Sequence, residues 1–308
     1  MTAIELEGLT KDYGEVLAND GLTFSVDTGE VFGYLGPNGA GKTTTIRMLL
    51  GFISPTAGSG RVLGHDIQDE RALIEAKRQI GYLSDEPGFD EQATGDEILE
   101  LHAAVKGDER SDELLELFDP PMDRKIREYS RGNVQKLGLV TTFMHDPELV
   151  ILDEPTSGLD PLMKQRFAEF LRREKENGVT VFFSSHILSE VRRLCDRVGI
   201  IRSGELVTIE PIETLLTRSG KAVRIQSEAP IPLTVLDIDG VHDLETSIPG
   251  DVADVDPDSA FTECTFTYTG DINRLLTALS EYELLDLSIE EAPLEDVFLR
   301  FYGGENDV

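Results

Sequence analysis

The segment Gly36-Pro37-Asn38-Gly39-Ala40-Gly41-Lys42-Thr43 constrains this chain more than any other stretch of it. It fits the phosphate-loop spacing GxxxxGK[ST] and stands between an apolar strand candidate, Glu30 to Leu35, and a helix candidate, Thr44 to Leu50. In that order the loop's backbone N–H groups and the helix N-terminus converge on phosphate oxygens. Glycines 36, 39 and 41 are expected to adopt backbone angles closed to residues with a Cβ and to let the main chain approach the anion. Lys42 supplies a mobile positive charge for the terminal phosphates, and the Thr43 hydroxyl is a ligand for Mg²⁺. Every residue from Gly36 to Thr44 is thus a candidate contact. The alternative, a glycine-rich turn that only caps a helix, leaves the Lys and Thr without a purpose. The motif assigns a nucleoside triphosphate site and is silent on what the nucleotide drives.

A chain of 308 residues exceeds one ordinary core, so a domain of about 200 residues plus a smaller one is expected. No run of eighteen apolar residues occurs and the N-terminus, MTAIELEGLT, lacks the pattern of a secretion signal, which reads as a soluble, cytoplasmic protein. Cys195 and Cys264 lie far apart with no metal-ligand spacing around them and are expected to be buried thiols. With 59 acidic and 28 basic side chains, a net charge of −31 repels nucleic acid phosphates, so no nucleic acid partner is expected. The dispersed acids, with Arg outnumbering Lys about two to one, resemble the surface of a halophilic protein from a very salty cytoplasm.

Alternating apolar strands and helices imply a largely parallel α/β sheet. Strand candidates are Ile4 to Leu9, Leu22 to Val26, Arg61 to Leu63, Ile80 to Leu83, Glu148 to Leu152 and Val179 to Ser184. Gly95 to Phe118 reads as a helical insert ended by Asp119-Pro-Pro, and helices are expected after Ser130, from Pro161 to Glu176 and from Ile187 to Cys195. Beyond about Arg218 the texture changes to a small α+β domain: strands at Ala222 to Ile225, Phe261 to Tyr268 and Leu284 to Ile289, a helix at Ile272 to Tyr282 and a short one at Leu294 to Tyr302. No chemistry-bearing motif stands out there.

The apolar run Leu149-Val-Ile-Leu152 ends in Asp153-Glu154, which is how a buried strand delivers carboxylates to the sheet edge beside a phosphate loop. Successive strand residues alternate faces, so the two acids are expected to point apart. Asp153 is assigned to the Mg²⁺ shell and Glu154 to polarising the water that attacks the γ-phosphate.

GPNGAGKT, YSRGNVQKLGL, LVILDEPTSGLD and FFSSH occur in the order and rough spacing of the ATP-binding cassette (ABC) ATPase family, and the resemblance covers roughly residues 1 to 215. It implies a P-loop NTPase fold of the ABC type, with a mixed sheet core, an antiparallel β subdomain and a helical subdomain, in residues 1–217. Residues 218–308 would be an accessory α+β domain. Ser130-Arg131-Gly132-Asn133 resembles the signature loop, a variant of LSGGQ. In the family this loop faces the γ-phosphate held by the opposite subunit, which implies a dimer, of this chain with itself or with a paired cassette, sandwiching two ATP. Tyr13 resembles the aromatic that stacks on adenine, His186 the switch histidine near the γ-phosphate, and Asp160 a dimer-contact aspartate. Asp85, in GYLSDEPG, takes the place of the usual Gln near the Mg²⁺ and the attacking water; as it is a methylene shorter, its direct contact with the metal is expected to be lost or replaced by one through water.

The tail Ala292-Pro-Leu-Glu-Asp-Val-Phe298-Leu resembles that of cassette subunits in drug-, antibiotic- and sodium-export systems. The resemblance therefore implies an ATP-hydrolysing subunit held to the inner face of the membrane by an integral membrane permease. Two alternatives stay open: a soluble ABC ATPase acting on ribosomes or nucleic acid, and a module that closes on ATP but barely hydrolyses it.

Overall fold

In the computed structural model, which describes residues 1–247 and 260–291, the most apolar runs of the chain form the middle of one sheet. The first of two units, Met1–Ile212, begins β1 (Thr2–Asp12), β2 (Leu17–Asp27), β3 (Val31–Leu35), α1 (Lys42–Leu49), β4 (Ala57–Val62), β5 (His65–Asp66), α2 (Glu70–Arg78) and β6 (Ile80–Leu83). Helices α3 (Gly95–Lys106), α4 (Ser111–Phe118) and α5 (Arg131–Phe143) follow. The unit finishes with β7 (Leu149–Asp153), α6 (Pro161–Glu176), β8 (Thr180–Ser185), α7 (Leu188–Leu194), β9 (Arg197–Arg202) and β10 (Glu205–Pro211).

The central sheet has the order β10-β9-β3-β8-β7-β6, parallel throughout except for the antiparallel edge strand β10. Every residue of β3, β7 and β8 is buried, as expected of strands covered on both faces. A second sheet, β2-β1-β4-β5, is antiparallel and buries one set of side chains, Ile4, Leu6, Leu22, Phe24 and Val26, in the core shared with β3 and α1. Phe24 stacks on Phe32 with ring centroids 5.5 Å apart, fastening the two sheets together.

The helical insert is two helices rather than one. Gly107, at φ 93°, ends α3, and the Asp108 carboxylate accepts from the backbone N and hydroxyl of Ser111 at the start of α4. Thr94 and Glu97 form a reciprocal capping box at the head of α3. Its apolar residues divide: Ile98 is buried while Leu101 is 59% exposed. Helix α2 and the β9–β10 hairpin were not expected from apolar periodicity. The first buries only Leu73 and Ala76, and the second turns on Ser203-Gly204, both at positive φ.

The second unit, from Glu213 onward, contains β11 (Lys221–Pro232), β12 (Val241–Ser247), β13 (Ala260–Tyr268), α9 (Ile272–Leu279) and β14 (Leu284–Glu291) after α8 (Ile212–Ser219), which spans the division. Its sheet is antiparallel, in the order β12-β13-β11-β14, and α9 packs Leu275 and Leu279 onto Val223, Ile225, Phe261 and Phe266. Cys195 and Cys264 are both buried free thiols. The short helix expected at Leu294 to Tyr302 and the export-type tail at 292–299 lie outside the described residues.

Candidate nucleotide-binding and catalytic site

The loop between β3 and α1 walls a cavity of about 740 Å³ whose lining includes Pro37, Asn38, Gly39, Gly41, Lys42, Thr43 and Thr44. Gly39 and Gly41 have φ of 83° and 106°, the left-handed backbone that the motif predicts. Gly36 does not. It is required by packing instead, since a Cβ there would meet the Ile201 carbonyl oxygen at 2.4 Å. Gly36 and Ala40 form the loop's inner side, away from the cavity lining, and the β9–β10 turn braces it through a bond from Gly204 N to Ala40 O.

Lys42 is buried, and its Nζ donates to the carbonyls of Gly36 at 2.6 Å and Pro37 at 3.3 Å. Burial lowers its pKa below the usual lysine value, opposed by the charges of Glu154 and Asp153. The Thr43 hydroxyl donates to Asp153 Oδ2 at 2.9 Å, and Ser184 donates to Oδ1 at 2.9 Å. Burial raises the Asp153 pKa while those two bonds and Lys42 pull it back. A hydroxyl beside a buried carboxylate suits Mg²⁺, which prefers hard oxygen ligands. Among the described residues no group of three or more His, Cys, Asp or Glu that could hold a metal ion is gathered.

Glu154 lies one residue beyond β7 with φ 50°, outside the alternation of strand residues, and it lines the same cavity as Asp153. Its Oε1 is 2.9 Å from His186 Nδ1 and 3.6 Å from Lys42 Nζ, and its Oε2 receives the Ser185 hydroxyl at 3.5 Å. Oε1 is buried between these two nitrogens, and neither contact has hydrogen-bond geometry.

Tyr13, 55% exposed, lines the same cavity with Val16, Leu17 and Ala18, and Lys11 Nζ stands 5.0 Å above its ring. Asp85 lines the cavity too, but its Oδ1 accepts from Arg131 Nη2 at 2.8 Å, so this side chain is already paired within the chain. Ser130 caps α5 by accepting from Asn133 N at 3.3 Å, and Asp160 caps α6 by accepting from Met163 N at 2.9 Å. Neither Ser130, Gly132 nor Asp160 is among the residues lining this cavity.

Several residues around the site carry no motif of their own. Ser184 reaches Asp153 because it is its parallel partner across β7 and β8, and Ser203 joins the cavity lining from the β9–β10 turn. Glu190 collects Thr156 Oγ1 at 2.6 Å, Lys164 Nζ at 2.9 Å and Ser185 Oγ at 3.4 Å, tying the segment after Glu154 to the one carrying His186. The Ser-Gly dipeptide was a readable turn signal; the others depend on strand order.

Residues 19–157 match the ABC transporter family. The chain is 35% identical to the bacitracin transport ATP-binding protein BcrA of Bacillus licheniformis, over 98% of each chain. The chain belongs to the ABC transporter ATP-binding proteins. It is also 32% identical to the Nod factor export ATP-binding protein I of Mesorhizobium japonicum, over 98% of this chain and 87% of that protein. A solved ATP-binding subunit of an ABC transporter superposes with a TM-score of 0.65 at 30% identity, over 70% of this chain and 93% of that one. As a member of this family the protein binds and hydrolyses ATP.

Proposed function

We propose that this ABC protein is the motor subunit of an exporter, closing as a dimer on two ATP molecules and driving a separate membrane permease. The observation that carries this reading is the one-sided cavity. Lys42, Thr43, Asp153 and Glu154 gather on one wall, while Ser130, Gly132 and Asp160 lie outside it. The free end of α5, with its own N–H groups and the Ser130 hydroxyl, is the kind of surface that completes a phosphate site on a second copy. The names of relatives such as the Nod factor export protein support export, and those proteins share nearly the full length of this chain.

Within one site, Lys42 exchanges its loop carbonyls for terminal phosphate oxygens, and Tyr13 with Val16 receives the base. Thr43 and Asp153 hold Mg²⁺, which when bound neutralises charge developing on the phosphates. Asp85 would add negative charge at the rim of the cation's site while Arg131 retains it. Glu154 orients a water for in-line attack and His186 holds that carboxylate in place. No helix among the described residues is long and apolar enough to cross a membrane, so the transport path belongs to the permease. Exposed Phe52, Leu101 and Val105 offer apolar surface for its cytoplasmic segments. Residues 218–308 serve as an accessory module.

Glu154→Gln tests the reading. Phosphate release is expected to fall by at least about a hundredfold while ATP binding persists, and the variant with Mg²⁺ and ATP is expected to elute from a sizing column at doubled mass. Wild-type turnover by this variant, or a monomer that binds ATP and hydrolyses it fully, overturns the scheme. Copurification with ribosomes instead of a polytopic membrane protein overturns the transport assignment.

A further inference from the structure

The left-handed turn at Glu154 needs something to hold it, because a non-glycine residue at φ 50° persists only where its surroundings over-determine it. One side chain of α5 is aimed at this turn. Gln135 is 0% exposed, and its Nε2 donates to Pro155 O at 3.0 Å and approaches Glu154 O at 3.5 Å. The orientation of the amide is fixed by what it faces, since turning it over would set its oxygen against two carbonyls. Its Oε1 is buried without a partner, so the side chain stays in the core with half of its hydrogen-bonding capacity unused. The rest of the α5 N-terminal turn closes on the same segment: a Cβ on Gly132 would meet Gly158 O at 2.6 Å, and the Arg131 stem lies against Gly158.

We infer that Gln135 is a positioning residue for the hydrolytic step: it clamps the backbone of residues 154 and 155 and thereby sets where the Glu154 carboxylate stands. The inference rests on the reading of Glu154 as the group that orients the attacking water. A polar residue serving only to satisfy two carbonyls would affect folding without discriminating between binding and turnover. A clamp on the catalytic carboxylate acts on turnover, because a displacement of about 1 Å in a reacting group costs up to about a hundredfold in rate.

Gln135→Met keeps the length and removes the donor. In the full chain we expect kcat to fall ten- to a hundredfold with KM for ATP and the affinity for a fluorescent ATP analogue within about twofold of wild type. In the Glu154→Gln background the same substitution is expected to change single-turnover phosphate release by less than twofold, because nothing remains to be positioned. Should Gln135→Met fail to fold, Gln135→Glu carries the test: its protonated acid can donate to Pro155 O and its carboxylate cannot, so its kcat relative to wild type is expected to rise as pH falls. A parallel loss of affinity and kcat, an undiminished effect in the Glu154→Gln background, or a flat pH ratio overturns the clamp. The two readings separate cleanly. If Glu154→Gln turns over like wild type, both fail; if it is inactive while Gln135→Met is unimpaired, only the clamp fails.

Discussion

A methyl group at Gly36 would stand 2.4 Å from the Ile201 carbonyl oxygen and 2.8 Å from that residue's Cγ2. Neither can yield without shifting β9, and overpacking of this kind costs about 1–3 kcal/mol. At Gly39 a Cβ meets nothing within 4 Å, so the penalty is only that of the left-handed backbone at φ 83°, about 1 kcal/mol. Gly36→Ala is therefore expected to melt lower than Gly39→Ala, at roughly 2–4 °C per kcal/mol for a unit of this size, and to weaken ATP binding more. Melting curves and a nucleotide titration on the two variants check this, and the opposite order would make backbone conformation the loop's dominant demand. The contrast marks how far single residues were legible. Lys42, Thr43, Asp153 and Glu154 carry spacing and chemistry that a sequence displays, and they meet as expected. Ser184 became a partner of Asp153 only through the β7–β8 register, and Gln135 through the packing of α5 on the turn after β7. No local pattern encodes either of those.

Among the secondary-structure elements, the junction of α5 with β6 holds an unusual titrating group. His145, just beyond α5, is 8% exposed and its Nε2 lies 3.3 Å from the Ile80 carbonyl, which also accepts Lys106 Nζ at 2.6 Å. Burial brings the ring's pKa down to about 4, and the Lys106 charge adds to the effect. The neutral ring donates from Nε2 in this contact, because a carbonyl oxygen can only accept. An unfolded histidine takes its proton near pH 6.5, and the folded one refuses it until about pH 4. Stability is thus undiminished above pH 6.5, falls as pH drops through that window, and levels off below it, by roughly 3 kcal/mol in all. His145→Gln cannot titrate, so its melting temperature is expected to fall less steeply than wild type between pH 7 and about pH 4.5; equal slopes would show that other groups carry the acid sensitivity. Elements built from apolar runs, such as β3, β7 and β8, were readable because they are buried on both faces. Helix α2 was missed because two buried residues make too faint a stripe, although Asp69 caps it through Arg71 N and Ala72 N. The single insert from Gly95 to Phe118 divided because Gly107 takes a positive φ, which spacing among leucines cannot reveal.

For the whole molecule the governing quantity is charge. A net −31 on 308 residues means that folding compresses like charges, and salt relieves that repulsion. Ordinary screening is spent early: the Debye length has shrunk from about 10 Å at 0.1 M to about 3 Å at 1 M, shorter than most distances between surface carboxylates. An acidic protein of ordinary habitat should gain stability up to a few hundred millimolar KCl and then level off. A surface adapted to concentrated salt goes further, because its many carboxylates, with Arg preferred to Lys, bind hydrated cations that become plentiful only in molar solution. We expect the melting temperature of the intact chain to keep rising between 1 and 3 M KCl, and ATP turnover to survive there. The two explanations differ in shape as well as size. Replacing KCl by NaCl leaves pure screening unchanged, whereas site binding of hydrated cations distinguishes the two salts. A plateau below 1 M with no difference between them would mean that the acidic surface is only a charged surface, and the halophilic assignment would fall.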